Sequence, residues 1–115
     1  MNRVAASNIL SPLPCAQKAE VVTELLSKPG LRIERIVSSG QCSDENFFYD
    51  QVEAEWVILL QGNAELDIEI DDAWQRQELQ AGDYVNLPSH CRHRIHSTSI
   101  TPQAVWLDIF YNTCE

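Results

Sequence analysis

A chain of 115 residues, 44% of them apolar, can build one hydrophobic core but is short for two. Its 17 acidic against 8 basic side chains give a formal charge of -9, which excludes a phosphate backbone as a natural partner: such binding needs a basic patch, and Arg92 with Arg94 is the densest basic pair. The same balance disfavours anionic membrane surfaces, and no stretch approaches the roughly 20 apolar residues that span a bilayer.

The opening MNRVAASNILSPLPCAQ has one arginine and no sustained apolar run before Pro12 and Pro14, so the expectation is a cytoplasmic protein without a secretory leader. Cys15, Cys42, Cys91 and Cys114 are scattered with no CxxC pair, which fits reduced thiols better than a disulfide framework or zinc knuckle. After this arm, AQKAEVVTELLSK places Val21, Val22, Leu25 and Leu26 at three-to-four spacing. That spacing predicts a short amphipathic helix, ended by Pro29 and Gly30. Residues 1–30 are thus read as an arm with a helix, and residues 31–115 as a β unit.

From Leu31 the period changes. LRIERIVS sets Leu31, Ile33 and, less cleanly, Ile36 between charged residues, as a half-buried strand does. EWVILLQG is apolar without interruption from Trp56 to Leu60, which predicts a strand covered on both faces and hints at a second subunit. In NAELDIEID the residues Ala64, Leu66, Ile68 and Ile70 alternate with Glu65, Asp67 and Glu69, and Asp71 with Asp72 makes a turn. AWQRQELQ returns to a tight turn at Ala81, Gly82 and Asp83, before YVNLP. In AVWLDIFY, Val105, Leu107, Ile109 and Tyr111 share one face. Short strands at this spacing make a sandwich or barrel.

GDYVNLPSHCRHRIHS holds all three histidines, His90, His93 and His96. Intervals of three suggest a helical metal site, but Pro88 starts a strand more readily than it sits within a helix. On a strand, His93 shares a face with Ile95 and Ser97, while His90 and His96 fall on the other parity or in the turn. Arg92, Arg94 and His96 then read as a solvated face, and a three-histidine site from this stretch is not expected.

These residues resemble the cupin family. Gly82, Pro88, His90 in place of a second glycine, and His93 match its second motif, with Ser97 at the terminal asparagine; Glu55 and Gly62 match the close of its first motif. The resemblance spans roughly residues 40 to 97, is closest to small single-domain cupins, and implies an all-β, antiparallel barrel of the double-stranded β-helix or jelly-roll type. Metal-binding cupins also carry two histidines shortly before the glutamate. Here that region reads FFYDQVEAE, and two registers place either Phe48 and Asp50 or Tyr49 and Gln51 at those positions.

The resemblance thus implies Glu55 and His93 as ligands, with Asp50 or Gln51 as a replacement and His96 joining if a bulge turned it inward. Such a degenerate site would hold iron, manganese, nickel or zinc as Lewis acid or O₂ platform, more weakly than three imidazoles do. Without metal, His93 beside Glu55 is a general acid/base pair, and Tyr49 a hydrogen-bond donor to a bound carbonyl or hydroxyl, the layout of isomerase or epimerase chemistry. The reading is a small-molecule-binding cupin, expected as a homodimer; a non-catalytic ligand sensor and a structural, partner-binding protein are the alternatives from other classes.

Overall fold

Alternating apolar and charged residues become eight antiparallel strands, with no helix, among the described residues 4–113 of the computed structural model. They are β1 (Val21–Lys28), β2 (Leu31–Ser38), β3 (Ala54–Gln61), β4 (Asn63–Ile70), β5 (Ala73–Gln80), β6 (Tyr84–Leu87), β7 (His93–Thr98) and β8 (Ala104–Tyr111). One sheet has the order β1-β2-β8-β3-β6 and the other β5-β4-β7.

The helix expected before Pro29 is instead β1. Val21, Val22 and Thr23 are β-branched, and Gly30, with φ 75°, closes a hairpin that pairs Val21 with Val37 and Lys28 with Leu31. The pairing slips by one residue between Glu24 and Leu26. That bulge shifts the inward parity along the strand, and so gave a two-residue alternation the look of a helical stripe.

Between the sheets lie Val57 and Leu59 of β3, Ala64, Leu66 and Ile68 of β4, and Trp106 of β8, all under 5% exposed. The uninterrupted run in β3 is explained from both sides. Leu59 points into this core, while Leu60 packs with Leu13, Ala16, Val21, Val37 and Val105 beneath the N-terminal arm. Gln103 clamps that arm, accepting from the Ala16 N–H and donating to the Pro14 carbonyl.

Two further features position the barrel mouth. The segment 41–51 runs antiparallel along β7: Ser43 N–H donates to the Ile95 carbonyl, Tyr49 and His93 exchange backbone bonds, and His90 N–H donates to the Gln51 carbonyl. An edge strand is thereby covered and a flexible-looking loop fixed in register. Gly62, at φ 83°, joins β3 to β4 where a Cβ would run into the Ser99 hydroxyl and lie 3.0 Å from the Gln103 carbonyl.

Candidate functional site

Strand alternation decides which side chains enter the barrel. On β3, Glu55 and Val57 face in and Trp56 faces out; on β7, His93 and Ile95 face in; on β8, Trp106, Asp108 and Phe110 face in. Together with Tyr49 and Gln51 from the covering segment and Arg32 and Glu34 from β2, they line a cavity of about 260 Å³.

Glu55, His93 and Asp108 are each at least 93% buried. His93 Nε2 stands 3.4 Å from Glu55 Oε1, and Gln51 Nε2 donates to the same oxygen at 3.2 Å. The other ring nitrogen of His93, Nδ1, lies 2.9 Å from the Cys91 carbonyl, which can only accept; Nδ1 therefore carries a proton and Nε2 is the nitrogen turned toward Glu55. Tyr49 stacks on the His93 ring at 5.2 Å and 24°.

The protonation states follow from these contacts. Burial opposes charge on Glu55, but hydrogen bonds from His93, Asp108 and Gln51 and the neighbouring imidazolium bring its carboxyl below the ordinary value. Burial likewise opposes charge on His93, and the Glu55 hydrogen bond with the Cys91 carbonyl more than offsets it, so the imidazole is raised. Among the described residues no cation pairs with Asp108. Burial, then the Glu55 charge, pushes its acid well above the carboxylate range, and its proton serves the bond to Glu55. Burial, and then the carboxylates of Glu20 and Glu55, raise the Tyr49 phenol, which stays a donor.

The residues singled out from sequence separate into two groups. Glu55, His93, Tyr49 and Gln51 converge on the cavity. Asp50 turns away and pairs with His90, Oδ1 to Nδ1 at 2.7 Å, and Phe48 lies against Trp74 and Arg92 on the outside. The register that sets Tyr49 and Gln51 opposite Glu55 is therefore the one the backbone adopts. His96 does sit at a bulge, since Ile95 pairs with Leu66 and Ser97 with Glu65, but the extra residue points outward to Arg76 Nη2 at 3.1 Å. Arg94 and Arg76 both bond the Asp67 carboxylate, and Arg92 bonds Glu69, so this outer face is neutralised rather than basic. Asp108 was not anticipated. The signal was one carboxyl in the middle of the apolar strand AVWLDIFY, which has to be buried on one face or the other.

The second-motif turn explains His90. Cys91 N–H donates to the Pro88 carbonyl at 3.0 Å, and His90, third in that turn, has φ 62°. Glycine suits this position because the left-handed conformation crowds a Cβ.

These donors do not fit a four-ligand metal centre. Tyr49 and Gln51 stand where the resemblance places two imidazoles, and among the described residues no three His, Cys, Asp or Glu side chains are arranged to hold a metal ion. Cys15, Cys42 and Cys91 are free thiols, while Cys114 lies outside the described residues. Among those residues no helix is long and apolar enough to cross a membrane.

A family model described as "Cupin domain" matches residues 36–110. No curated protein matches the chain. Among solved structures, a Ralstonia eutropha JMP134 protein described as a "putative mannose-6-phosphate isomerase" is 34% identical with a TM-score of 0.87, over 96% of this chain and 100% of that one. A cupin superfamily protein of Desulfitobacterium hafniense DCB-2 is 19% identical with a TM-score of 0.69, over 96% and 99%. Bacillus subtilis oxalate decarboxylase, studied for its Mn(II) centres, is 21% identical with a TM-score of 0.61, over 75% of this chain and 22% of that one.

Proposed function

The chain belongs to the cupin family, and from that premise we propose that its barrel binds a small molecule against an acid/base centre made by Glu55, His93 and Asp108. The observation that carries this reading is the 3.4 Å contact between His93 and Glu55, buried at the floor of a cavity. At about 260 Å³ the cavity lies just below the roughly 300 to 1,000 Å³ usual for drug-sized ligands, so the ligand is small.

The chemistry follows from the proton inventory. Glu55 accepts from His93 on one side and from the Asp108 acid on the other, so two protons sit around one carboxylate. A ligand entering beside them meets groups able to give a proton and one able to take it, the requirement for moving a hydrogen between neighbouring carbon or oxygen atoms. Tyr49 donates to a carbonyl or hydroxyl at the mouth. Isomerase-type chemistry is the reaction class this layout serves; a sensor would use the same contacts without turnover.

The test is thermal unfolding of wild type, Glu55→Gln and His93→Ala across a small-molecule panel that includes mannose 6-phosphate. A ligand at 100 times its Kd stabilises by about 2.7 kcal/mol. The expected result is a compound that stabilises wild type and neither variant; compounds that act equally on all three would remove the reading.

Bound iron, manganese, nickel or zinc is a second reading. It is favoured by one feature: His93 is anchored through Nδ1 to a carbonyl and presents Nε2 beside a carboxylate, as metal-ligating histidines do. Elemental analysis of tag-free protein, with and without His93→Ala, separates the two.

We further propose a homodimer, and a cytoplasmic setting consistent with the free thiols. The outward residues Trp56, Ile58, Leu107 and Ile109 form a contiguous apolar patch on the larger sheet, flanked by Tyr84 at 62% exposure, and a second copy is the occupant that such a patch fits.

A further inference from the structure

The cavity has a charge sign and an orphaned donor, and together they specify a ligand. Four carboxyls face it, Glu20, Glu34, Glu55 and Asp108, against two basic groups, Arg32 and His93. Arg32 has its charge compensated: it pairs with Glu34 at 3.1 Å and with Glu53 at 3.2 Å, and its guanidinium lies 4.1 Å over the Phe110 ring, although its Nε makes no hydrogen bond among the described residues. His93 is committed to Glu55. A phosphate or carboxylate would enter with no free cation to meet it and with acidic groups on several sides, an arrangement electrostatics opposes in a low-dielectric cavity.

Two atoms on β8 mark where a ligand would bind. Trp106 is 3% exposed, and its indole N–H has no hydrogen-bond partner among the described residues. Asp108, two residues on and facing the same way, is 5% exposed, and no N–H or hydroxyl of the described residues reaches its Oδ1. An indole N–H asks for an oxygen acceptor; the free oxygen of Asp108, whose proton is turned to Glu55, asks for a donor, and the surrounding carboxyls of Glu20, Glu34 and Glu55 favour one that carries positive charge. Strand geometry sets neighbouring inward side chains about 6.6 Å apart, a span that one small molecule can bridge.

We propose that the ligand is a small amine that also bears an oxygen acceptor, an amino alcohol of up to amino-sugar size, with its ammonium held by Asp108 and Glu20 and its oxygen by the Trp106 indole N–H. The proposal rests on the barrel being the ligand site, and it narrows that reading to one charge class. It also separates this chain from chemistry on a phosphorylated sugar.

The experiment is a ¹H–¹⁵N NMR titration followed at the tryptophan indole signals. The chain has three tryptophans, and Trp106→Phe assigns the relevant one. The probes are ethanolamine, glucosamine, glucose and mannose 6-phosphate. The expected result is a saturable shift of the Trp106 signal by an amine, at least tenfold tighter than any shift by glucose, and weakened about tenfold by Asp108→Ala, which removes the acceptor. Glu20→Gln, at the mouth, weakens it too, and serves if the buried substitution disturbs folding. Equal or tighter binding of glucose or mannose 6-phosphate overturns the proposal and leaves the barrel as a ligand site. No shift with any of the four overturns it together with the reading beneath it.

Discussion

At the scale of single residues, the three buried groups titrate in different directions and give the protein a readable pH profile. His93 is raised above its ordinary 6.5, so its stabilisation is complete below about pH 6.5 and fades as pH climbs through the folded value. Glu55 is lowered from 4.5, so its share is complete above about pH 4.5 and fades as pH falls through the folded value. The pair therefore contributes most between those limits. Asp108 has the opposite effect to Glu55: raised above 3.8, it favours folding in acid and weighs against it as pH rises. Asp108→Asn keeps a donor to Glu55 and removes that titration, so its melting temperature should gain on wild type from pH 4 to pH 8. A constant difference across that range would show that Asp108 does not titrate as described. His90 makes a second residue-scale case. Because its φ is 62°, His90→Gly should fold within about 1 kcal/mol of wild type, whereas His90→Val should lose about 1 to 2 kcal/mol in urea unfolding.

At the scale of elements, the site depends on a segment with little regular structure of its own. Tyr49 and Gln51 reach the cavity because residues 41–51 zip along β7 through Ser43, Tyr49 and Gln51. Ser43 Oγ also accepts from Ile95 N–H at 3.0 Å, and Thr98 donates to the Gln41 carbonyl at 2.6 Å. Ser43→Ala should leave the barrel folded while raising hydrogen exchange at Tyr49 and His93; unchanged exchange there would mean the side-chain bond does not hold the segment. The turn into β4 is the rigid counterpart. Gly62→Ala meets both a positive φ and the backbone of Gln103, and should cost about 2 kcal/mol or more in denaturant unfolding. Sequence patterns served elements unevenly. β4 was legible since nothing interrupts its alternation from Ala64 to Ile68, but β1 was not, because a one-residue bulge at Leu25 is invisible to any periodic template.

At the scale of the whole molecule, the outer face of the larger sheet is covered at one end and open at the other. The arm covers Leu60, Val37 and Val105, while Trp56, Ile58, Leu107 and Ile109 are only partly buried. Light scattering after gel filtration should give twice the 13.1 kDa chain mass, and Ile58→Lys should return it to the single mass with the fold intact. A wild type that runs as a monomer would end the dimer proposal.

Alternation and turn chemistry are local and survive without a partner strand, so they made most of this chain legible as antiparallel β, while the resemblance to the cupin motifs marked Glu55, Gly62, Pro88 and His93. It named Tyr49 and Gln51 in one of two registers and left the choice open. Tertiary structure decided that choice, since a backbone ladder to β7 fixes which of two adjacent residues faces inward. It also brought Asp108 to Glu55 from 53 positions away, and sent Asp50 and His96 to partners outside the barrel. Parity is written in the sequence, but which parity is the inside depends on what the other sheet covers.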